Sequence, residues 1–430
     1  MNARQTAFEL LQRCEGSKQY SNIAVDKALS ASSLSGADKR LVSALVYGVI
    51  ERRITLDYYI SVLSSRPLEK IDSKTLCALR MGLYQLIFMD RIPSHAAVGE
   101  TVELCPKSSR GFVNAILRGY TRLSEPIPLP RDSDEKYLSV AYSVCEPLAK
   151  KLITQFGRDT AEELLIASFD TPKTTLRVNT LKCSRDELAE HIDNAEHTEI
   201  SPVGLRALGS PRDIYGFSEG MFFVQDEASQ ICVGVLGAKS GELIVDSCAC
   251  PGSKSFGAAI DMGNEGRVLS FDLHKNKLSL VESGAERLGI TITIIKADVC
   301  DGRHYLCELE GSADRVLCDV PCSGFGVIAK KPELRYKDPA ESAALPDIQL
   351  AILENCSRYL KKGGTLIYST CTVFDEENEN NVQRFLDKHT DFELCPFEYN
   401  GVSSKTGTLT LLPHIHGTDG FFIARLTKIN

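Results

Sequence analysis

The chain has 430 residues, of which 43 % are hydrophobic and 25 % are charged. At about 150 residues per domain, this length predicts two or three domains with cores of their own. The composition excludes a disordered chain, and no apolar run approaches the roughly 18 residues of a membrane span, so we expect no membrane partner. Arg4, Glu9 and Arg13 interrupt the first residues, which argues against a signal or transit peptide and predicts a cytoplasmic protein.

The chain carries fifteen cysteines, a number that first suggests a disulfide or zinc framework. The number is odd, the positions are scattered from Cys14 to Cys395, and no Cys-x-x-Cys pair is present. We therefore expect mostly small core thiols in a reducing compartment and no metal site.

The net charge of −8 is unevenly divided along the chain. Residues 1–140 contain 19 Lys and Arg against 15 Asp and Glu, whereas the remaining 290 contain 30 against 42. An acidic chain can still bind nucleic acid through a local patch, and the basic excess points to the N-terminal end.

Helical spacing dominates from Ala3 to about Arg122, as in Leu76, Leu79 and Leu83, and predicts an all-α bundle. The proline-rich stretch from Ser124 to Asp134 cannot continue a helix and is predicted to be a linker. This is the clearest domain boundary in the sequence.

Helical spacing returns at 137–170, a strand is predicted within 174–182 and a helix within 184–193, which together indicate a small α/β subdomain. From about Glu242 short apolar strands alternate with helices, including a long helix around 346–360 that we expect to end at Gly363 and Gly364. This alternation predicts a doubly wound, mostly parallel sheet, in which ligands bind at the carboxyl ends of the strands. The predicted strands are 242–246, 267–272, 290–295, 315–319 and 365–370.

The first of these strands ends in DSCACPGSKSFG, residues 246–257, a Pro-Gly turn before a helix. Such a turn lets backbone amides approach a nucleotide-like cofactor. Asp272 ends the next strand, 18 residues after Lys254, close to the usual separation for a carboxylate that binds a ribose diol. The missing G-x-G-x-x-G argues against a dinucleotide and favours S-adenosyl-L-methionine, although Asp272 also fits a helix cap.

Later strands end in further polar residues. Asp298 follows the third strand and is a candidate for contacts to the adenine side of the cofactor or a solvated turn residue. The fourth ends in CDVPCSGFGV, with Asp319 and Cys322, and the fifth in YSTCTVFDEEN, with Cys371. Two cysteines at neighbouring strand ends, in loops that face solvent, favour chemistry over packing, with a buried structural role for one of them as the alternative.

The segments CACPGSK, CDVPCSG and STCTVFDEEN resemble the signatures of RNA (cytosine-5)-methyltransferases of the NOL/NOP/Sun family. The terminal GTDGFFIARL is similar to that family's closing hairpin, and the helical N-terminus resembles the RNA-binding domain of NusB. The combination is similar to the bacterial B-type branch, also called Sun or Fmu, which acts on 16S rRNA, and the resemblance spans essentially the whole chain.

The resemblance implies a multidomain fold. We expect a NusB-like all-α RNA-binding domain at 1–125, a linker at 126–136, a small α/β RNA-recognition subdomain at 137–235 and a Rossmann-like S-adenosylmethionine-dependent methyltransferase domain at 236–430. The cofactor residues expected are Cys248, Ala249, Cys250, Pro251, Gly252, Ser253 and Lys254 of the turn, together with Asp272, Asp298 and Asp319.

The resemblance also implies the catalytic roles. Carbon 5 of cytosine is a poor nucleophile, and a thiolate that adds to carbon 6 activates it. Cys371 is then the nucleophile and Cys322 assists product release, while Asp319 is the partner of the ring N3 and amino group. Lys254 contacts the substrate or covers the sheet edge. The sequence does not identify the group that favours the Cys371 thiolate.

The implied substrate is 16S rRNA, at cytosine 967, and we expect a monomer that binds neither DNA nor metal. A tRNA substrate and a non-catalytic RNA-binding or assembly factor are the alternatives, the latter disfavoured because a scaffold needs neither cysteine. The cofactor turn departs from the family pattern at Cys250, usually Ala, and at Ser253, usually Gly, which requires a negative φ at Ser253.

Two basic groups are candidates for RNA phosphates, with a solvated surface as the alternative for each member. They are Lys330, Lys331, Arg335 and Lys337 after Cys322, and Lys107, Arg110, Arg118 and Arg122 on the last N-terminal helix. The acidic run from Asp375 to Glu379 is predicted to be a helix N-terminus stabilised by the helix dipole.

Overall fold

A computed structural model describes residues 2–15, 21–170, 173–291, 295–299, 301–304 and 306–429. The chain divides into two compact units. The first consists of Met1–Asp170 and Ile328–Pro339, and the second of Thr171–Val327 and Ala340–Asn430. Within the described ranges, no helix is both long and apolar enough to cross a membrane.

The regular structure of the first unit is helical, as the apolar spacing predicts. Buried side chains such as Leu45, Leu79 and Leu117 form one shared core. Asp72 begins one helix by accepting a hydrogen bond from the Thr75 amide, which satisfies an amide that has no partner within the helix. The helices are α1 (Ala3–Glu15), α2 (Ser21–Ser30), α3 (Gly36–Glu51), α4 (Arg53–Leu63), α5 (Ser73–Phe88), α6 (Ser94–Leu104), α7 (Arg110–Thr121), α8 (Asp134–Tyr142), α9 (Glu146–Phe156) and α10 (Arg158–Ala167).

The predicted linker contains no helix or strand before Asp134. The first compact unit nevertheless continues through α8, α9 and α10 to Asp170. The boundaries at 125, 136 and 235 remain predictions.

The segment Ile328–Pro339 belongs to the first unit, although it lies between two strands of the second in sequence. Its Arg335 is fully buried and donates hydrogen bonds to the carbonyls of Tyr142 (3.0 Å) and Ser168 (2.7 Å). The guanidinium also lies 4.0 Å from the ring centre of Phe169. The prediction that Arg335 contacts RNA phosphates is therefore wrong, because its guanidinium is buried and bonds to groups of the protein itself.

The second unit contains a small antiparallel sheet with the strand order β2-β3-β1-β4. The predicted strand is confirmed as β1 (Thr174–Val178), and the predicted helix is the shorter α11 (Arg185–Ala189), which begins with a capping box between Ser184 and Glu187. The other strands are β2 (Glu196–His197), β3 (Gly204–Ala207) and β4 (Phe222–Val224).

The larger sheet of the second unit has the strand order β10-β14-β9-β8-β5-β6-β7, with β13 paired to β14. Strands β9, β8, β5, β6 and β7 are parallel, and β10, β13 and β14 extend the sheet antiparallel. The predicted Rossmann-like domain is thereby confirmed, and the closing hairpin is β13 with β14. The strands are β5 (Leu243–Asp246), β6 (Arg267–Asp272), β7 (Ile295–Val299), β8 (Ala313–Asp319), β9 (Leu360–Thr370), β10 (Phe392–Leu394), β13 (Thr408–Leu411) and β14 (Phe421–Lys428).

Helices and a hairpin complete the second unit. Buried apolar side chains pack on both faces of the sheet, for example Ile244 on one face and Val245 on the other. The hairpin is β11 (Phe397–Tyr399) with β12 (Val402–Ser404), and the helices are α12 (Glu227–Leu236), α13 (Ser253–Asp261), α14 (Lys275–Leu288), α15 (Leu345–Ser357), α16 (Glu379–Leu386) and α17 (Pro413–His416).

Two predicted boundaries are wrong. The third strand of the parallel sheet was predicted at 290–295, but residues 290 and 291 are not in a strand and β7 runs from Ile295 to Val299; residues 292–294 lie outside the described part. The long helix ends at Ser357, and Gly363 and Gly364 lie inside β9 instead of ending the helix. Leu360 and Thr365 pair with Ala313 and Arg315 of β8, and the register shifts between these two pairs, so the glycines lie at an irregularity inside the strand, where Gly363 has a φ of +75°.

Candidate active site

The predicted cofactor turn connects β5 to α13. Gly252 has a φ of +109°, a conformation that side chains rarely adopt, and a Cβ there would lie 2.5 Å from the Phe256 ring. Ser253 begins α13 and is not among the residues with positive φ, so the substitution of Ser for the usual Gly fits the backbone. The turn therefore ends in the amides at the start of a nine-residue helix, next to the end of a strand.

Asp272 ends β6 and lies against this turn. Its Oδ2 accepts a hydrogen bond from the Cys250 amide (3.3 Å) and its Oδ1 accepts one from the His274 amide (2.9 Å). The side chain is partly exposed, and α14 begins only at Lys275. The half-exposed carboxylate can accept hydrogen bonds from the hydroxyls of an adenosine ribose, and the backbone amides of the turn beside it can donate hydrogen bonds to the cofactor.

The turn residues between β5 and Gly252 differ in exposure. Ala249 is buried and its amide donates to the carbonyl of Phe271 (2.8 Å), while Cys248 and Cys250 are half-buried. Burial raises the pKa of Cys248 well above its usual value, and burial together with the charge of Asp272 raises the pKa of Cys250 to about 12. Both side chains are therefore neutral thiols at physiological pH.

The position of Asp298 differs from the prediction. The residue does not follow the third strand but lies inside β7, where its backbone is in register with Phe271, the neighbour of Asp272. The backbone places it one strand away from the cofactor turn, and its side chain is outside the described part of the structure.

The two predicted catalytic cysteines are brought together. Cys322 follows β8 and Cys371 follows β9, two adjacent parallel strands, and their Sγ atoms lie 3.2 Å apart. The Cys371 amide also donates to the Cys322 Sγ (3.3 Å). The hydrogen bond with Cys371, burial, and the charges of Cys371 and Glu377 raise the pKa of Cys322 well above its usual value. Cys322 therefore holds its proton in this arrangement.

Lys254 and Asp319 form an ion pair beside the cysteines. The Lys254 Nζ lies 2.6 Å from the Asp319 Oδ2, and the Asp319 Oδ1 accepts a hydrogen bond from Ser369 (2.8 Å). Burial, the largest single effect, lowers the pKa of Lys254, but the charges of Asp319, Cys232 and Asp246 and the hydrogen bond to Asp319 together outweigh it, so the pKa is raised. Lys254 is therefore a fixed cation that orients the Asp319 carboxylate.

Two buried carboxylates of this region were not predicted from the sequence. Asp246, at the end of β5, accepts a hydrogen bond from Ser255 (2.6 Å), and burial raises its pKa to about 7. Glu377 precedes α16 instead of lying in it, is 5 % exposed and accepts a hydrogen bond from the Ser323 amide (2.9 Å). The prediction that the acidic run forms a helix N-terminus holds only for Glu379, because Asp375, Glu376 and Glu377 all precede α16. Sequence spacing carries no signal for a carboxylate that binds a distant amide.

The second group of basic candidates is not one helical stripe. Only Arg110 and Arg118 lie in α7, because Lys107 precedes the helix and Arg122 follows its last residue. Arg110 forms an ion pair with Glu103 (3.0 Å), and Arg118 bonds to Asn114 (3.0 Å).

Among the residues that the structure describes, no three His, Cys, Asp or Glu side chains group as a metal site, and no disulfide joins the cysteines there.

Comparison with known families identifies three segments of the chain. Residues 233–427 match the family described as 16S rRNA methyltransferase RsmB/F. Residues 1–122 match the NusB family, and residues 146–213 match the ferredoxin-like domain of RsmF/B-like methyltransferases.

Similar curated proteins cover the whole chain. A probable ribosomal RNA small subunit methyltransferase B of Bacillus subtilis (strain 168) is 37 % identical over 99 % of this chain and 99 % of its own length. A protein of the same description from Synechocystis sp. is 37 % identical over 100 % of both chains. The ribosomal RNA small subunit methyltransferase B of Shigella sonnei is 33 % identical over 92 % of both.

Solved structures share the fold. The crystal structure of PH0851 covers 99 % of this chain and 98 % of its own, with a TM-score of 0.81 and 28 % identity. A methyltransferase homolog protein from Pyrococcus horikoshii covers 70 % of this chain and 100 % of its own, with a TM-score of 0.60 and 28 % identity. NSun6 from Pyrococcus horikoshii, at 23 % identity and a TM-score of 0.59, shares the fold over 66 % of this chain and 98 % of its own.

Proposed function

Because the chain belongs to the RsmB/F family of 16S rRNA methyltransferases, we propose that it methylates carbon 5 of a cytosine in 16S rRNA through a covalent adduct on Cys371. The observation that supports this reaction most directly is the 3.2 Å separation of the Cys322 and Cys371 sulfurs beside the Lys254–Asp319 pair. The position that the family resemblance implies is cytosine 967. The cofactor is S-adenosyl-L-methionine, whose sulfonium supplies the methyl group.

The turn 248–254 and Asp272 are the residues that would hold this cofactor. Asp272 presents a half-exposed carboxylate to the ribose hydroxyls, and the amides at the start of α13 lie beside it. We propose that Asp298, whose backbone lies on the next strand, contacts the adenine side of the cofactor. In this arrangement the carboxyl ends of β5, β6 and β7 bind the nucleoside, and the ends of β8 and β9 carry the reacting groups.

In the proposed reaction, the Cys371 thiolate adds to carbon 6 of cytosine and forms a C–S bond. This addition breaks the aromaticity of the ring and makes carbon 5 nucleophilic. Asp319, oriented by Lys254 and Ser369, accepts a hydrogen bond from the amino group of the base, and one from N3 once that nitrogen has taken a proton from solvent.

Carbon 5 then takes the methyl group, whose bond to the donor sulfur breaks and leaves a neutral thioether, and carbon 5 still carries its hydrogen. Cys322 removes that proton, the C–S bond breaks, and the pair of electrons returns to Cys371 while the ring becomes aromatic again. Once Cys371 is a thioether, it no longer carries the charge that opposes ionisation of Cys322, so the Cys322 proton can pass to solvent before this step. In this scheme Cys371 ionises first and Cys322 ionises only after the adduct has formed, because the charge on Cys371 opposes a second charge on the neighbouring sulfur.

The direct test is transfer of tritiated methyl groups from S-adenosyl-L-methionine to 16S rRNA that lacks 5-methylcytosine, followed by bisulfite sequencing. We expect methylation of one cytosine by the unchanged protein, none by Cys371→Ala, and normal activity of Cys307→Ala, which removes an exposed thiol outside the site. Absence of transfer by the unchanged protein to this RNA would contradict the proposal, and transfer to tRNA instead would establish the alternative substrate.

A second experiment separates the roles of the two cysteines. We expect Cys322→Ala to accumulate a covalent protein–RNA adduct that shifts in a denaturing gel, because addition and methyl transfer proceed while proton removal fails. If Cys371→Ala forms the adduct instead, the two roles are reversed.

A further inference from the structure

Glu377 is a buried carboxylate beside the two cysteines, and the proposed reaction gives it no role. Its side chain is 5 % exposed, whereas its sequence neighbour Glu376 is exposed. The Glu377 Oε2 accepts hydrogen bonds from the Ser323 amide (2.9 Å) and from the Gln349 Nε2 (2.8 Å). A buried carboxylate is costly unless it is hydrogen-bonded, and these two donors provide that compensation.

The partners of Glu377 hold the residues on both sides of Cys322. Ser323 is the residue after Cys322, and Gln349 also donates to the carbonyl of Pro321, the residue before it (3.0 Å). One carboxylate and one amide side chain therefore fix the backbone that carries the Cys322 thiol.

The same cluster reaches the Cys371 loop. The Ser323 hydroxyl bonds to the hydroxyl of Thr372 (2.9 Å), the residue after Cys371. The Tyr368 hydroxyl, from the strand that ends before Cys371, donates to the Glu377 carbonyl (2.5 Å). Glu377 thus lies where the loops after β8 and β9 are joined, and its contacts hold the backbone next to each cysteine.

The charge of Glu377 also acts on Cys322. The groups that face this thiol are Cys371, Glu377 and the hydroxyl of Tyr368. The side-chain hydrogen bond with Cys371, burial, and the charges of Cys371 and Glu377 disfavour the thiolate form of Cys322, and they outweigh the opposite effect of the Cys371 amide, which donates to the Cys322 Sγ. A Cys322 that keeps its proton can donate S–H to the Cys371 sulfur at 3.2 Å. Such a donor stabilises a thiolate on Cys371, the residue that needs the charge.

We propose that Glu377 is a positioning residue of the two-cysteine site: its carboxylate clamps the Cys322 loop to the Cys371 loop and keeps the shared proton on Cys322, so that Cys371 carries the thiolate. This inference rests on the proposed function for its consequence in catalysis. The placement of the proton is a property of the protein without RNA and can be measured separately.

The test is competitive alkylation of the two thiols by iodoacetamide at pH 7, quantified by peptide mass spectrometry. Glu377→Gln keeps an oxygen acceptor for the Ser323 amide but removes the charge. We expect alkylation to shift from Cys371 towards Cys322. The ratio of alkylated Cys322 to alkylated Cys371 should rise about tenfold for each unit by which the pKa difference between the two thiols changes. Glu377→Asp retains the charge, so we expect it to keep the preference for Cys371.

Glu376→Gln is the matched control, because it makes the same substitution one residue away on an exposed side chain. Thermal melting and binding of S-adenosyl-L-methionine verify that each variant is folded. An unchanged alkylation ratio in folded Glu377→Gln, or a lost preference in folded Glu377→Asp, would overturn the proposal.

Single-turnover methyl transfer then measures the consequence for catalysis. In Glu377→Gln we expect slower adduct formation at saturating RNA and an unchanged KM, since Glu377 contacts neither substrate. Because alkylation needs no RNA, a protein that does not methylate 16S rRNA can still show the predicted shift, and the two proposals fail independently.

Discussion

The Sγ atoms of Cys322 and Cys371 lie 3.2 Å apart, although 49 residues separate them in sequence. A disulfide bond is about 2.05 Å long, so a small movement of the two loops allows one to form. We expect hydrogen peroxide to oxidise this pair: the two thiols lose two protons and two electrons, and the peroxide is reduced to water. Peptide mass spectrometry under non-reducing conditions should find Cys322 joined to Cys371.

Methyl transfer should be lost on this oxidation and return after dithiothreitol, because a disulfide occupies the Cys371 sulfur that must add to carbon 6. Cys307→Ala, which lacks an exposed thiol elsewhere, should respond like the unchanged protein. Loss of activity without the Cys322–Cys371 peptide would contradict the prediction.

Gly252→Ala should weaken binding of S-adenosyl-L-methionine. Gly252 has a φ of +109°, and the added methyl group would lie 2.5 Å from the Phe256 ring, so the turn must change shape. We expect the Kd, measured by isothermal titration calorimetry, to rise at least about tenfold, which corresponds to roughly 1.4 kcal/mol. Gly263→Ala is the control: its φ is +67° and nothing lies within 4 Å of the added Cβ, so affinity should stay near the unchanged value.

The sequence predicted the elements whose residues have regular apolar spacing. Strands such as Arg267–Asp272 and Ala313–Asp319 lie where the alternation of strand and helix placed them. The two cysteines were also predicted together, because their strands end at the same edge of a parallel sheet. The elements could be predicted from the local periodicity of apolar residues, and the cysteine pair from the rule that neighbouring parallel strands end at the same edge of a sheet.

Relationships between distant polar groups could not be predicted. Glu377 was assigned to a helix N-terminus because only its acidic neighbours are visible in sequence, while its partners, Ser323 and Gln349, lie 54 and 28 residues away. Arg335 was assigned to RNA because a basic cluster in a loop usually faces solvent. Tertiary packing decides whether a charged side chain is buried, and the spacing of charged residues along the sequence does not predict that burial.

Arg335→Ala should destabilise the first unit. The buried guanidinium donates to the carbonyls of Tyr142 and Ser168 and to the Ser168 hydroxyl (2.8 Å), and its loss leaves these acceptors without a donor. We expect a loss of about 3 kcal/mol or more, observed as a lower midpoint of unfolding in urea. Lys107→Ala, which removes an exposed cation of the same unit, should leave the midpoint unchanged. An equally stable Arg335→Ala would show that these hydrogen bonds contribute little.

Asp246→Asn should gain stability relative to the unchanged protein as the pH rises towards 8. Burial raises the pKa of Asp246 from 3.8 to about 7 in the folded state, so between about pH 4 and pH 7 the folded protein binds a proton that the unfolded chain has lost. Stability from this group is therefore fully present below pH 4 and is lost as the pH rises through 7. Asn cannot ionise and can still accept the Ser255 hydrogen bond.

The stability of Asp246→Asn relative to the unchanged protein should therefore rise between pH 4 and pH 8, by up to about 4 kcal/mol at 1.36 kcal/mol per pKa unit. Unfolding in urea at several pH values measures this difference, and titrating groups that do not interact with Asp246 cancel in the comparison. Glu282→Gln, an exposed carboxyl on α14, should show no such trend. If the two proteins keep a constant difference across this range, Asp246 does not change its charge near neutral pH, and the strand end beside the cofactor turn carries a permanent negative charge instead of a titrating one.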